Sequence, residues 1–157
     1  MADLTAHEVL FTAHTDGRDL AFSEIEAALP GTVHRGWLAP DVGWVTLVES
    51  WTDLAHRFAQ RPPIFCRHIC PAQLRVPIAQ VPQDLDVLAR ASGALAEFLG
   101  PEPFSVQTRL LGSRWPYGPF DVNTRLAEVF AGGCAQVDVR HPVQVVSAVL
   151  APDEGFL

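Results

Sequence analysis

The order in which two hydrophobic periods alternate between residues 8 and 69 constrains the fold more than any other feature of this sequence. Four short apolar runs have the length and composition of strands: residues 8–13, 32–38, 43–49 and 64–69. Two segments between these runs carry apolar residues three or four positions apart, as an amphipathic helix does: residues 19–29 and 50–61. This order predicts one sheet covered by two helices, β-α-β-β-α-β.

Local signals at the helix ends support this assignment. Asp19 is placed to cap the first helix. Ser50 followed by Asp53 has the form of a capping box, which opens the second helix, and Pro62-Pro63 ends it. The β-α-β-β-α-β order is that of the ferredoxin-like fold, which we predict for residues 5–70. The fold class is therefore α/β, of the α+β type.

A second α/β subdomain is predicted for residues 81–151, after a proline-rich linker at residues 71–83 that includes one edge strand around residues 74–78. Pro119 suits the first position of a helix in this subdomain. The predicted order is α-β-α-β-β, with elements at residues 85–99, 104–111, 119–131, 135–139 and 143–150.

The net charge of −7 at first argues against a nucleic-acid partner, because phosphate binding needs positive charge. The acids are concentrated, however, in residues 1–53, which hold nine carboxylates and two arginines. Residues 54–83 hold four arginines and no carboxylate. Every cation in the chain is arginine, whose planar guanidinium can grip phosphate with two hydrogen bonds or stack on a base. The charge distribution therefore keeps RNA open as a partner.

Composition excludes several other classes of protein. No apolar run approaches the ~18 residues of a membrane span, and the N-terminus lacks the basic-then-apolar layout of a signal peptide. We therefore expect a soluble, cytoplasmic protein with no membrane partner. Three cysteines are too few, and odd in number, for a disulfide framework.

One short pattern suggests metal chemistry. Cys66, His68 and Cys70 alternate along a predicted strand and so point to one side of it. A zinc site needs further ligands, and the sequence has no second cluster of them. A thiol nucleophile paired with His68 lacks a third group to orient it. We therefore predict no metal site, no catalytic residue and no cofactor in this chain, and keep a small Cys/His metal enzyme as a third hypothesis.

The second half of the chain resembles a THUMP domain. The resemblance rests on four segments: the strand Phe104–Arg109, the helix that begins at Pro119, the segment Val137–Pro142 and the strand Val143–Leu150. The family has a Phe-x-Val-x-x-Arg strand, a helix, a Val-Asp-Leu-x-x-Pro strand end and a closing hydrophobic strand. THUMP domains typically follow a ferredoxin-like domain, and residues 5–70 fit that companion.

Within this family the chain is most similar to the N-terminal part of bacterial ribosomal RNA 2′-O-methyltransferases, through residues 65–71 and 150–157. The resemblance implies an RNA-binding module that positions rRNA or tRNA, not DNA, for a methyltransferase or other RNA-modifying domain. It implies that the chain is itself not an enzyme. S-adenosylmethionine is expected for a catalytic domain that these residues do not contain.

The resemblance and the charge pattern together suggest the RNA-binding residues. Phosphate contacts are assigned to Arg109, Arg114 and Arg140, and base stacking to Trp115 and Tyr117. An auxiliary basic surface is assigned to Arg57, Arg61, Arg67 and Arg75.

The same residues also have structural interpretations that involve no RNA. The Trp-Pro-Tyr loop can fold back on the core, and Arg57 can form an ordinary i,i+4 pair with Asp53 on a solvated helix face. The rival function is a protein-interaction or dimerisation module without RNA binding, in which Trp37, Trp44 and Trp51 serve an interface.

Overall fold

The computed structural model describes residues 7–133 and 135–157, which form two compact units. The first unit extends to Gln73 and the second covers Leu74–Leu157. Each unit has its own sheet and its own hydrophobic core. Within the described ranges, no helix is long and apolar enough to cross a membrane.

The first unit has the predicted order β-α-β-β-α-β, with a 3-10 turn at Thr15–Gly17 before its first helix. Its elements are β1 (Glu8–Ala13), α1 (Arg18–Ala28), β2 (Val33–Ala39), β3 (Val42–Thr46), α2 (Trp51–Gln60) and β4 (Cys66–Pro71). The antiparallel sheet has the strand order β2-β3-β1-β4, which is ferredoxin-like. Both helices pack on one face of this sheet, where Ile25 and Leu54 meet Val9, Phe11 and Val45, all fully buried.

One of the two predicted helix caps is confirmed. The Ser50 hydroxyl accepts from the Asp53 amide at 3.3 Å, and the Asp53 carboxylate accepts from the Ser50 amide at 3.1 Å. The Asp19 cap was wrong, because α1 begins one residue earlier and Asp19 lies inside its first turn. Gly17 at the end of the 3-10 turn occupies the cap position, without a side-chain bond.

The second unit contains six further elements and a 3-10 segment, Gly93–Phe98. They are β5 (Arg75–Pro77), α3 (Asp84–Ser92), β6 (Phe104–Leu110), α4 (Pro119–Ala131), β7 (Gln144–Leu150) and β8 (Glu154–Phe156). The sheet order is β5-β8-β7-β6, with β6 and β7 parallel and the other pairs antiparallel. Helices α3 and α4 pack on one face, around Phe104, Leu126, Phe130 and Leu150.

Three elements of this unit differ from the prediction. The α helix expected to reach residue 99 ends at Ser92, because Gly93 begins a 3-10 segment. The strand expected at residues 135–139 is reduced to one bridge between Val137 and Phe104. The strand β8 was not predicted, because three residues after a tight turn carry too little periodicity to recognise.

The sheet of the second unit has two ends that matter for function. Its carboxyl end, where β6 and β7 finish, carries the loop 111–118, since the Leu111 amide donates to the Leu150 carbonyl at 2.8 Å. Its amino end carries the segment 135–143, since the Asp138 amide donates to the Phe104 carbonyl at 2.8 Å. Residues of β6 separate these ends by roughly 20 Å, at ~3.3 Å per residue.

Candidate nucleic-acid interface

Two of the predicted arginines lie in one row across the sheet of the second unit. The strand registers align Arg75 with Phe156, Phe156 with Val149, and Val149 with Arg109. Side chains in such a row share a face, and this one is opposite the face that holds the helices. At ~4.8 Å between neighbouring strands, the Cα atoms of the two arginines are about 14 Å apart.

Arg75 is already engaged within the protein. Its Nε donates to the Glu154 carboxylate at 2.7 Å, and its guanidinium lies 5.7 Å from the centre of the Phe156 ring. An RNA phosphate would have to compete with that carboxylate. Arg109 is exposed near the carboxyl end of β6.

Arg114 is presented by an ordered loop. Its side chain is exposed and its φ of +73° is in the left-handed region, which a non-glycine residue adopts only when its surroundings enforce it. Trp115 supplies part of that enforcement, because its indole Nε1 donates to the Leu111 carbonyl at 3.0 Å and its ring packs 5.6 Å from that of Tyr117. The loop therefore holds Arg114 in an exposed position, while Trp115 is half-buried.

Tyr117 anchors this loop in the core. Its hydroxyl donates to the Asp84 carboxylate at 2.9 Å, and both side chains are buried. Asp84 also accepts from the amides of Ala79 at 3.1 Å and Val81 at 3.0 Å. Burial and then the bond to Asp84 raise the pKa of the Tyr117 hydroxyl. The buried ring of Tyr117 is not presented to a base.

An exposed aromatic side chain near Arg114 went unnoticed in the sequence. Phe120 is 79% exposed in the first turn of α4, which follows the Arg114 loop directly. The helix buries Val122, Leu126 and Phe130, and Phe120 falls off that stripe. The stripe was visible in the sequence, so Phe120 could have been named as an exposed ring available for stacking.

The N-terminus of α4 is already occupied by a carboxylate of the same helix. The Asp121 carboxylate accepts from the Gly118 amide at 2.7 Å, so a negative charge already occupies the first turn. A phosphate placed there would meet that carboxylate. The exposed residues Arg109, Arg114 and Phe120, with the edge of Trp115, make up what we call the carboxyl-end surface.

Arg140 lies at the other end of the sheet. The Asp138 carboxylate accepts from the amides of Arg140 at 2.8 Å and His141 at 3.0 Å, and these bonds lower the pKa of Asp138. This tight turn explains why the strand predicted at residues 135–139 stops after one bridge. Arg140 is exposed between Val139 and Val143, which are 76% and 67% exposed. It therefore forms no cluster with Arg114.

The arginines of the predicted auxiliary basic surface differ in whether they form ion pairs within the protein. Arg57 forms an ion pair with Glu49 at 3.2 Å, and not the i,i+4 pair with Asp53 that its position in the helix allows. Asp53 is held by Ser50 instead, whose hydrogen bonds lower the pKa of that carboxyl. Arg61 and Arg67 are exposed, and neither forms an ion pair with any residue in the described parts of the chain.

The two cysteines of the Cys-x-His-x-Cys pattern face opposite sides of the first sheet. A register shift between Thr12 and Ala13 turns Cys66 into the core, while Cys70 lies opposite Leu10. The prediction that both thiols point to one side was therefore wrong, because a bulge in the strand pairing interrupts the alternation.

The environment of these thiols keeps them protonated at neutral pH. Burial, and then the Glu24 carboxylate, raise the pKa of Cys66 to about 12, and burial raises the pKa of Cys70 to about 11. The Cys66 thiol donates to the Ala21 carbonyl at 3.2 Å. Across residues 7–133 and 135–157, no group of three or more His, Cys, Asp or Glu side chains could hold a metal ion. Cys134 lies outside the described residues.

Comparisons with known proteins identify the fold. No protein-family model matches the chain, and neither does any curated protein sequence. Among solved structures, TrmN from Thermus thermophilus matches 96% of the chain with a TM-score of 0.76 at 24% identity. PH1313 from Pyrococcus horikoshii matches 95% with a TM-score of 0.69 at 12% identity. A 4-thiouridine synthetase, solved as a complex with RNA and bound ATP, matches 96% with a TM-score of 0.59 at 13% identity.

These likenesses extend over both units but not over the whole of the other proteins. The chain spans 44%, 52% and 40% of the lengths of the three neighbours. At such identities the comparison establishes the fold. That fold is α/β of the α+β type, a ferredoxin-like β-α-β-β-α-β unit followed by a THUMP-like unit.

Proposed function

We propose that this chain is an RNA-binding module of THUMP type that positions tRNA or rRNA for an RNA-modifying domain. The observation that carries the proposal is the fold shared along both units with a synthetase that was solved in complex with RNA. The motif residues in Phe104–Arg109 and Val137–Pro142 support it, since they form β6 and the turn at the amino end of the sheet. We place the protein in the cytoplasm.

The carboxyl-end surface has the chemistry that single-stranded RNA requires. Arg114 offers a guanidinium fork on a loop that is ordered before RNA arrives, so little conformational entropy is lost on binding. Phe120 offers an exposed ring, and stacking of a base on such a ring contributes about 1–3 kcal/mol. Arg109 adds a second positive charge on the neighbouring strand. Arg140 would contact a separate part of the RNA.

The charge distribution limits where RNA binds and how strongly. Only a few arginines are available to phosphate, so we expect modest affinity that falls with salt. The nine carboxylates of residues 1–53 disfavour phosphate on much of the first unit. Residues 104–150 of the second unit hold four arginines and three carboxylates, so we expect RNA to contact this part of the chain.

We further propose that the modifying domain is an S-adenosylmethionine-dependent methyltransferase acting on the 2′-oxygen of rRNA. Residues 65–71 and 150–157 support this finer assignment, through their resemblance to that group of enzymes. In this proposal the chain delivers the substrate and contributes no catalytic residue.

Binding of labelled RNA by the full chain at several salt concentrations tests the proposal. A single-stranded rRNA fragment and a tRNA should bind with an affinity that falls as salt rises. Arg114→Gln should weaken binding and reduce the slope of log K against log salt by about 1, as loss of one phosphate contact does. Arg90→Gln, at an exposed position on α3, is the matched control and should leave the slope unchanged. Absence of binding at low salt, or a flat response, would favour the protein-interaction module.

A further inference from the structure

The first unit contains a cavity that the proposed RNA-binding function does not use. It has a volume of about 340 Å³ and lies between α1, α2 and the segment after α2. Its apolar lining consists of Ala27, Ala28, Phe58, Pro62, Pro63 and Ile64. Its polar rim consists of Glu24, Arg57, Gln60 and Arg61. A cavity of this size is within the range of binding pockets, roughly 300–1,000 Å³.

One wall of this pocket is fixed by a carboxylate. Glu24 on α1 accepts from three consecutive amides, those of Ile64 at 2.6 Å, Phe65 at 2.8 Å and Cys66 at 3.0 Å. These bonds tie the segment after α2 to α1, and Pro62-Pro63 stiffens it further. They also explain why β4 begins at Cys66 and not at residue 64 as predicted. The pocket is therefore formed before any ligand enters.

The lip of the pocket is apolar and uncovered. Ile64, on the segment that Glu24 holds in place, is 82% exposed. Phe58, which also lines the pocket, is half-buried. An exposed apolar lip over an apolar cavity is typical of a protein-interaction site.

Of the two arginines at the rim, Arg57 has an ion-pair partner among the described residues and Arg61 has none. Arg57 is neutralised by Glu49, and the Glu24 carboxylate is held by the three amides. Arg61, at the end of α2, is exposed and forms no ion pair with the residues that the structure describes. A ligand with an apolar group and a nearby carboxylate matches this rim.

We propose that this pocket docks an acidic, apolar peptide segment of a partner protein. An aliphatic or aromatic side chain fills the cavity, and an adjacent Asp or Glu pairs with Arg61. RNA fits less well, because six of the ten lining residues are apolar. The chain then has two binding surfaces, one for RNA on the second unit and one for protein on the first.

A random dodecapeptide display library, selected on the immobilised full chain, tests this proposal. The enriched sequences should carry Leu, Ile, Met or Phe within two or three positions of Asp or Glu. A synthetic peptide of the enriched sequence should bind the wild-type chain in solution. It should lose about two- to fivefold in affinity with Arg61→Gln, the size of an exposed ion pair. Ala27→Trp, which fills the cavity from its apolar lining, should weaken binding more than about tenfold.

Two matched variants control for unspecific effects. Arg67→Gln removes an exposed arginine outside the pocket, and Ala59→Trp places an indole on an exposed position of α2 that does not line it. Both should bind the peptide like the wild type, and the circular dichroism of all four variants should match it. Failure to enrich any sequence, enrichment of basic sequences, or binding that Ala27→Trp leaves intact would overturn the proposal. So would loss of RNA binding with Ala27→Trp, which would assign the pocket to RNA. If the wild-type chain does not bind RNA, the peptide-binding test of this pocket is unaffected.

Discussion

Replacing Tyr117 by phenylalanine removes one hydroxyl and keeps the ring that packs in the core of the second unit. The lost group is the donor to the Asp84 carboxylate at 2.9 Å. Asp84 is 3% exposed, so water cannot readily take the place of the hydroxyl. The change therefore isolates a single buried hydrogen bond to a charged group.

The size of the expected loss in stability depends on the hydrogen bonds that the Asp84 carboxylate keeps in the variant. A hydrogen bond to a charged group contributes ~1.5–3 kcal/mol. Because the amides of Ala79 and Val81 still donate to the same carboxylate, the cost should be near the lower end, about 1.5 kcal/mol. The apolar area buried by the ring does not change, so no cavity contributes to the loss.

Urea unfolding followed by circular dichroism measures this loss. We expect the midpoint to fall while the slope with denaturant stays the same, since the exposed surface is unchanged. Combining Tyr117→Phe with Asp84→Asn in a double-mutant cycle should reveal coupling of about 1 kcal/mol or more. A loss below about 0.3 kcal/mol, or strict additivity of the two changes, would refute the role of Asp84 and Tyr117 as the anchor of the Arg114 loop.

Two other predictions concern pH and stacking. Folding raises the pKa of Cys66 from 9.0 to about 12 and that of Cys70 from 9.0 to about 11. As the pH rises, the thiols of the unfolded chain therefore ionise before those of the folded protein. The free energy of unfolding should therefore fall as the pH rises above 9. Replacing both cysteines by alanine should make this free energy depend less on pH. A wild-type free energy of unfolding that is independent of pH between 8 and 10 would contradict the prediction. Phe120→Ala should weaken RNA binding by about 1–3 kcal/mol. The free energy of unfolding should change little, because the ring is exposed. Phe98→Ala removes another exposed ring and is the control, which should bind RNA like the wild type.

Sequence patterns predicted the features that depend on neighbouring residues. The β-α-β-β-α-β order, the Ser50–Asp53 capping box and Pro119 at the start of α4 all follow from residues within one or two helical turns. Hydrophobic period and cap chemistry are local, so one sequence suffices to recognise them.

The features that were missed depend on contacts between distant residues. Glu24 binds amides forty positions away, and Tyr117 reaches Asp84 across 33 positions. The bulge opposite β4 that separates Cys66 from Cys70 is set by strand pairing. No periodicity in the sequence encodes these pairings.

The division of the predicted RNA-binding arginines has the same origin. Arg114 and Arg140 are 26 positions apart in the chain. Because β6 and β7 are parallel, the chain must return to the amino end of the sheet before β7 begins. That return carries Arg140 away from Arg114, which only the strand pairing reveals.

Ultraviolet crosslinking of the full chain to a single-stranded RNA, with the attached peptides identified by mass spectrometry, tests the central claim most directly. The account predicts crosslinks in residues 104–121, which include Arg109, Arg114, Trp115 and Phe120. Arg114→Gln should reduce their yield and Arg90→Gln should not. Crosslinks confined to residues 7–73, or none at a salt concentration where RNA binds, would contradict it.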